Sequence, residues 1–279
     1  MKTITNGDIA RFERYLWKEE RSAATLDKYL RDVKTFNKWL NGCSFDKELV
    51  LKYKAVLLEN YAVASVNSML SSLNSFFAFL GWYELRVKTV KMQRKIFASH
   101  DKELTKSEYE RLLIAAKRKG NERLWLVMQT ICSAGIRVSE LQYITVEAVR
   151  CGRAEIRCKG KQRTAFLPDQ LCKTLRQYSA KQKIKSGSVF VTKNGKPLDR
   201  SNIWSDMKKL CKAANVTRNK VFPHNLRHLF ARTYYSLQRD VVRLADILGH
   251  SSVNTTRMYT IETGDIHRKQ IQKLGLLLC

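Results

Sequence analysis

Pro223-His224-Asn225-Leu226-Arg227-His228 is the most informative stretch of this chain of 279 residues. It opens a predicted helix over 224–238, and three residues of helical register put His224 and Arg227 on one face, where both can reach one ligand. Two other stretches share its chemistry. Ser133-Ala134-Gly135-Ile136-Arg137-Val138-Ser139-Glu140-Leu141 sets an arginine just past a glycine turn, where it opens a helix. Leu248-Gly249-His250-Ser251-Ser252 runs on to Thr255-Thr256-Arg257-Met258-Tyr259. Each residue alone has an ordinary reading: an arginine that solvates a surface, histidines that satisfy helix ends, a tyrosine packed with a wet hydroxyl. The set is less ordinary, because the chain has only five histidines and three of them, His224, His228 and His250, belong to it.

Composition points to an anionic partner. Lys and Arg number 52 against 25 Asp and Glu, a net charge of +27. Self-repulsion of that size favours a chain that habitually binds nucleic acid, although ribosomal and membrane-surface proteins can carry a similar balance. Residues 1–100 hold 17 basic and 10 acidic side chains, a net of +7, which leaves 35 and 15, a net of +20, for the rest. From Met207 to Arg239 there are eight Lys or Arg and no acid, so the strongest phosphate contacts are expected in the second part. The seven cysteines have irregular spacing and no Cys-x-x-Cys pair, which fits reduced thiols and neither a disulfide framework nor a zinc site. No run approaches the roughly 18 apolar residues of a membrane span, and the first residues lack the apolar core of a secretory signal. The expectation is a cytoplasmic protein.

Hydrophobic periodicity predicts a mainly α fold with a small β-hairpin region. Ile9, Phe12, Tyr15 and Leu16 mark a first helix. Leu26, Tyr29, Leu30, Val33, Phe36, Trp39 and Leu40 mark a second, closed by Asn41-Gly42. A third spans about 46–60 and a fourth 65–80, ending at Gly81. Residues 1–90 thus read as a helical bundle whose Lys28, Arg31, Lys34 and Lys38 form either a solvated face or one that lies on a duplex. A basic linker over 91–102 and a second domain over 103–279 follow. In the second domain Thr105 and Glu108 form a capping box, and helices are expected over 105–118, 121–134, 169–182, 200–214, 241–248 and 253–259. The segments 154–158 and 163–167, joined through Lys159-Gly160-Lys161, read as a hairpin. The tail, with Ile261, Ile266, Ile271 and Leu274, reads as an amphipathic segment that needs a surface to cover it.

Together these stretches resemble the tyrosine recombinase (phage integrase) family over nearly the whole chain, in its simple two-domain type. Gly135–Leu141 is similar to that family's Gly-[Leu/Ile]-Arg-x-Ser-Glu-Leu, and His224–His228 to its His-x-Leu-Arg-His. Leu248–Tyr259 matches Leu-Gly-His-x-Ser…Thr-x-x-x-Tyr, with 23 residues from Arg227 to His250 and nine from there to Tyr259. The resemblance implies a SAM-like core-binding domain followed by a catalytic domain. It also implies site-specific cutting and rejoining of double-stranded DNA through a 3′-phosphotyrosine, with no metal, ATP or other cofactor. The free protein would be a monomer that assembles as a homo-tetramer on two DNA sites, cytoplasmic and nucleoid-associated when bound. The tail would dock on a neighbouring protomer or fold back on its own. The implied catalytic set is Arg137, Lys159, His224, Arg227, His250 and Tyr259, with Glu140 bracing Arg137 from behind. Lys161 rivals Lys159, since the turn is about one residue shorter than the family's Lys-Gly-x-x-Lys. A type IB topoisomerase and an integrase-derived DNA binder that no longer cuts are the alternatives. An integrase of a mobile element is favoured over a housekeeping resolvase.

The residue types also follow from the chemistry. Attack on a phosphodiester builds negative charge on the non-bridging oxygens, which fixed cations and donors must meet. Arginine is permanently charged and can hold two such oxygens at once. An imidazole titrates near working pH and can take the phenolic proton. A tyrosine, weakly nucleophilic at its ordinary pKa near 10, gains phenolate character in such a field.

Overall fold

The computed structural model describes residues 1–92, 102–158, 161–192, 194–259 and 272–273. The chain divides into two compact units, Met1–Arg94 and Lys95–Cys279.

The first unit contains helices α1 (Asn6–Lys18), α2 (Ala23–Leu40), α3 (Lys47–Asn60) and α4 (Val63–Phe79). Side-chain caps start three of them: Thr5 in a capping box with Asp8, Ser22, and Asp46. These acceptors satisfy N–H groups that a helix leaves unpaired at its start. The apolar stripes meet in an aromatic core, where Phe12 and Phe76 pack edge to face at 5.1 Å and Phe36 meets Phe45 at 5.3 Å. Lys28, expected on an outer basic face, instead turns inward. Its ammonium bonds Asp32, the Ser72 hydroxyl and the Ser68 carbonyl, so the buried Asp32 carboxylate is paired. An unpaired carboxylate there would be costly.

The second unit begins with α5 (Lys106–Arg118), where the Thr105–Glu108 capping box forms as expected. After α6 (Glu122–Ala134) come a 3-10 helix (Val138–Tyr143) and the short α7 (Val146–Cys151). Strands β1 (Arg153–Cys158) and β2 (Lys161–Phe166) pair antiparallel, from Arg153 opposite Phe166 to Cys158 opposite Lys161. Next are α8 (Asp169–Lys181), α9 (Arg200–Lys208), α10 (Cys211–Ala214), α11 (Pro223–Gln238), α12 (Val241–Leu248), α13 (Val253–Thr256) and a closing 3-10 turn (Arg257–Tyr259). The single helix expected over 200–214 is interrupted: the Leu210 N–H bonds the Met207 carbonyl, a tighter i→i+3 turn. Met207, Leu210, Cys211 and Ala214 are nevertheless all buried, so the helical stripe read from the sequence persists across the break. No described helix is long and apolar enough to cross a membrane.

The end of α6, the start of α11 and the end of α12 converge, and this convergence places the site. Gly135 terminates α6 at φ +61, and a Cβ there would lie 2.5 Å from the Phe230 ring of α11. Only glycine tolerates both the left-handed backbone and that approach.

Candidate active site

Arg137 follows that glycine and caps the 3-10 helix. Its backbone N–H donates to Glu140 Oε2 at 2.7 Å and its Nη1 to Glu140 Oε1 at 2.8 Å. Glu140 is 2% exposed, and Arg163 of β2 donates to the same Oε2 from Nη2 at 2.6 Å. Burial alone would raise the Glu140 pKa; the bond from the Arg137 N–H and the charges of Arg163 and Arg137 outweigh it and hold the carboxyl below its ordinary range. Glu140 thus holds Arg137 in place by direct bonds.

Arg227 lies one turn into α11 with its side chain 1% exposed. Nη1 donates to the Gly135 carbonyl at 2.6 Å and Nη2 to the Leu248 carbonyl at 2.7 Å. Glu140 Oε2 lies 3.9 Å away, while Nε has no protein partner. Burial first, then the nearby Arg137, push its pKa down to about 10, partly countered by Glu140 and Tyr259. The guanidinium therefore stays charged at neutral pH, buried beside one carboxylate that Arg137 and Arg163 already share.

Gly249, at φ +64, ends α12 and turns His250 toward Arg227. His250 Nε2 lies 3.1 Å from Arg227 Nη2 and Nδ1 2.7 Å from the Thr256 hydroxyl. A guanidinium only donates, so Nε2 accepts and Nδ1 carries the proton. Burial, followed by Arg227, Arg137 and Arg163, lowers the His250 pKa to about 4. His224 keeps an open face, yet burial of the rest of its ring, then Arg227, Arg137 and Arg200, hold its pKa below the usual imidazole value. It is a neutral acceptor near pH 7. Tyr259 is 5% exposed; its ring packs parallel to His250 at 6.0 Å and edge to face with His228 at 4.7 Å. His228 in turn meets His224 edge to face at 4.4 Å.

A groove of about 510 Å³ opens beside this cluster, lined by Arg137, Ser139, Arg200, Trp204, His224 and Arg227 among others, while His250 and Tyr259 lie behind its lining. Among the described residues no acidic side chain lines it, so it suits an anion. Nor do three His, Cys, Asp or Glu side chains gather anywhere among them as a metal site.

Five of the six residues read from the sequence, Arg137, His224, Arg227, His250 and Tyr259, therefore come together. Lys159 lies outside the described residues, as do the side chain of Lys161 and most of the tail. Sequence reading missed Arg163, Arg200 and the contact of His228 with Tyr259. For Arg163 a signal existed. The register sets it opposite Ile156 and beside the Ala154–Ala165 pair, on the face that Ala154, Ile156 and Ala165 bury. An arginine at an inward position of a hairpin has to meet a buried partner.

Such a cluster, on a helical unit with one hairpin, is a cationic site suited to an anion. The chain belongs to the phage integrase family: the model of that family matches residues 102–264, and that of the phage integrase N-terminal SAM-like domain matches residues 9–84. Tyrosine recombinase XerA of Thermococcus kodakarensis is 30% identical over 98% of this chain and 96% of its own. Tyrosine recombinase XerD of Xanthomonas campestris is 29% identical over 95% and 90%. The fold is also that of a lambda integrase dimer solved bound to a COC′ core site, with a TM-score of 0.75 and 18% identity over 94% of this chain and 97% of that one.

Proposed function

We propose that the protein is a site-specific DNA recombinase that cuts and rejoins strands through a covalent link between Tyr259 and a DNA 3′-phosphate. The observation that carries this reading is the convergence of Arg137, His224, Arg227 and His250 with Tyr259 beside one cationic groove. The Tyr259 Oη attacks phosphorus and the bond to the 5′-oxygen breaks. The phenolic proton passes to His224, whose depressed pKa leaves it neutral and able to accept. Arg137 and Arg227 neutralise the charge that builds on the non-bridging oxygens. The departing 5′-oxygen takes its proton from Lys159. Attack by a 5′-hydroxyl of a second duplex reverses these steps and completes the exchange. The ester conserves the bond energy, so no ATP is consumed, and the two guanidinium groups supply the charge stabilisation at phosphorus. The working assembly on this reading is a homo-tetramer on two DNA sites, as in the lambda integrase tetramer solved on a Holliday junction.

His250 enters this scheme as a donor to phosphate only through a change in its protonation. In the free protein its one N–H serves Thr256 and its Nε2 accepts from Arg227. A phosphodiester anion bound among these arginines, gaining further charge in the transition state, offsets their charge, which raises the His250 pKa and makes a second N–H available.

The test is a nicked duplex carrying a site selected from random-sequence DNA. A covalent adduct is expected, and Tyr259→Phe should abolish it. Binding without an adduct would point to a non-cutting DNA binder. An adduct with relaxation, but no exchange between two sites, would point to a topoisomerase.

A further inference from the structure

Arg163 is a charged side chain beside the site that none of the steps above uses. It projects from the core-facing side of β2 and its side chain is 12% exposed. Its two terminal nitrogens serve two different elements. Nη2 donates to Glu140 Oε2 at 2.6 Å, on the 3-10 helix that Arg137 caps. Nη1 donates to the Ile247 carbonyl at 2.7 Å, in the last turn of α12, three residues before His250. Gly249 lies so close that a Cβ there would sit 2.3 Å from Arg163 Cδ. The stem of Arg163 thus fills the space that glycine leaves, and the fork beyond it spans two elements distant in sequence.

We infer that Arg163 is a positioning residue that sets the separation between Arg137 and His250, so that both reach the same phosphate. This rests on the reading of the site given above. A planar guanidinium can reach both acceptors at once; a lysine ammonium, a single point on a flexible stem, cannot hold both in the same geometry. Removing Arg163 also leaves Arg227, 3.9 Å from Glu140 Oε2, as the remaining guanidinium beside that oxygen. Arg227 would then be drawn away from the Gly135 carbonyl that fixes it. The consequence is misalignment of cations that themselves remain present.

Single-turnover cleavage by Arg163→Met and Arg163→Lys tests this, with melting curves to confirm that each variant folds. Arg163→Met is expected to slow cleavage about 100-fold, the scale set by an ångström of misplacement, while duplex affinity is unchanged. Arg163→Lys should fall between it and wild type. On a duplex whose scissile phosphate carries a methyl in place of one non-bridging oxygen, the deficit should shrink, because a neutral centre depends less on aligned cations. Equal deficits on the two substrates, or wild-type cleavage by Arg163→Met, overturn the inference. If Arg163→Met does not fold, Arg163→Lys carries the same comparison of substrates. Absence of a wild-type adduct removes this inference together with the reading beneath it; a normal wild-type adduct and an unaffected Arg163→Met remove the inference alone.

Discussion

His228 packs against His224 on one side and Tyr259 on the other, and its Nε2 is buried without a protein partner. Burial, then the charges of His224, Arg232 and Arg227, lower its pKa from 6.5 to about 3. In the unfolded chain the ordinary value returns, so between these two pH values the unfolded state binds the extra proton. Stability therefore rises with pH through this window and is lost as pH falls through it. At pH 5 the loss amounts to about 2 kcal/mol. Denaturant unfolding at pH 8 and pH 5 should show it, and His228→Phe should narrow the gap by about that amount. His250, lowered to about 4, contributes with the same sign. Arg227 makes a different prediction. Arg227→Lys cannot serve the Gly135 and Leu248 carbonyls and His250 together, so it should cost about 1–3 kcal/mol for each acceptor left bare and abolish the covalent adduct. Calorimetry and the adduct assay would separate the two effects. These residues were legible in the sequence because each lies in a short motif of distinctive chemistry. For Arg163 the hairpin register signals an inward position but not its partners, because Glu140 and Ile247 lie 23 and 84 residues away and no local window contains them.

At the scale of elements, the glycine that closes α6 carries two constraints where most helix-ending glycines carry one. Gly152 also has a positive φ, +69, but a Cβ there would meet nothing within 4 Å. Gly152→Ala should therefore cost only the left-handed backbone term, about 1–2 kcal/mol. Gly135→Ala adds a clash with Phe230 and should cost about 1–3 kcal/mol more. It should also weaken cleavage, since the displaced Gly135 carbonyl is an anchor of Arg227. Paired melting curves check the difference. Capping residues and apolar periods made α1 to α6 legible, because both signals are local. The sequence reading has a helix open at Arg137; what opens there is the 3-10 helix, and α7 has no counterpart in that reading. Arg137 and Glu140 close on each other within one turn, and the chain turns out at Ile144 before Thr145 caps α7. Side-chain bonds of that kind leave no periodic signature.

For the molecule as a whole, the net charge of +27 acts in two opposite ways. Salt screens self-repulsion, so the melting temperature of the free protein should rise between low and moderate ionic strength. Salt also removes the gain from counterion release. If about ten phosphates are contacted, the logarithm of duplex affinity should fall with the logarithm of salt at a slope near −9. A flat binding isotherm series would contradict a phosphate-gripping surface. Charge and composition made an anionic partner legible without any structure. They could not reveal the ion-paired set of Glu140, Arg137, Arg163 and Arg227, because ionic contacts between distant segments depend on how the segments pack.

The enclosure of Arg227 has a bearing on safety. Its guanidinium is held by carbonyls of Gly135 and Leu248, one far upstream and one well downstream of it. A nascent, truncated or partly melted chain lacks one of these holds and so leaves the charge in water, pointing nowhere in particular. On the proposed reading, the alignment of Arg227 thus arrives only with the finished fold, and a chain lacking either carbonyl would not cleave.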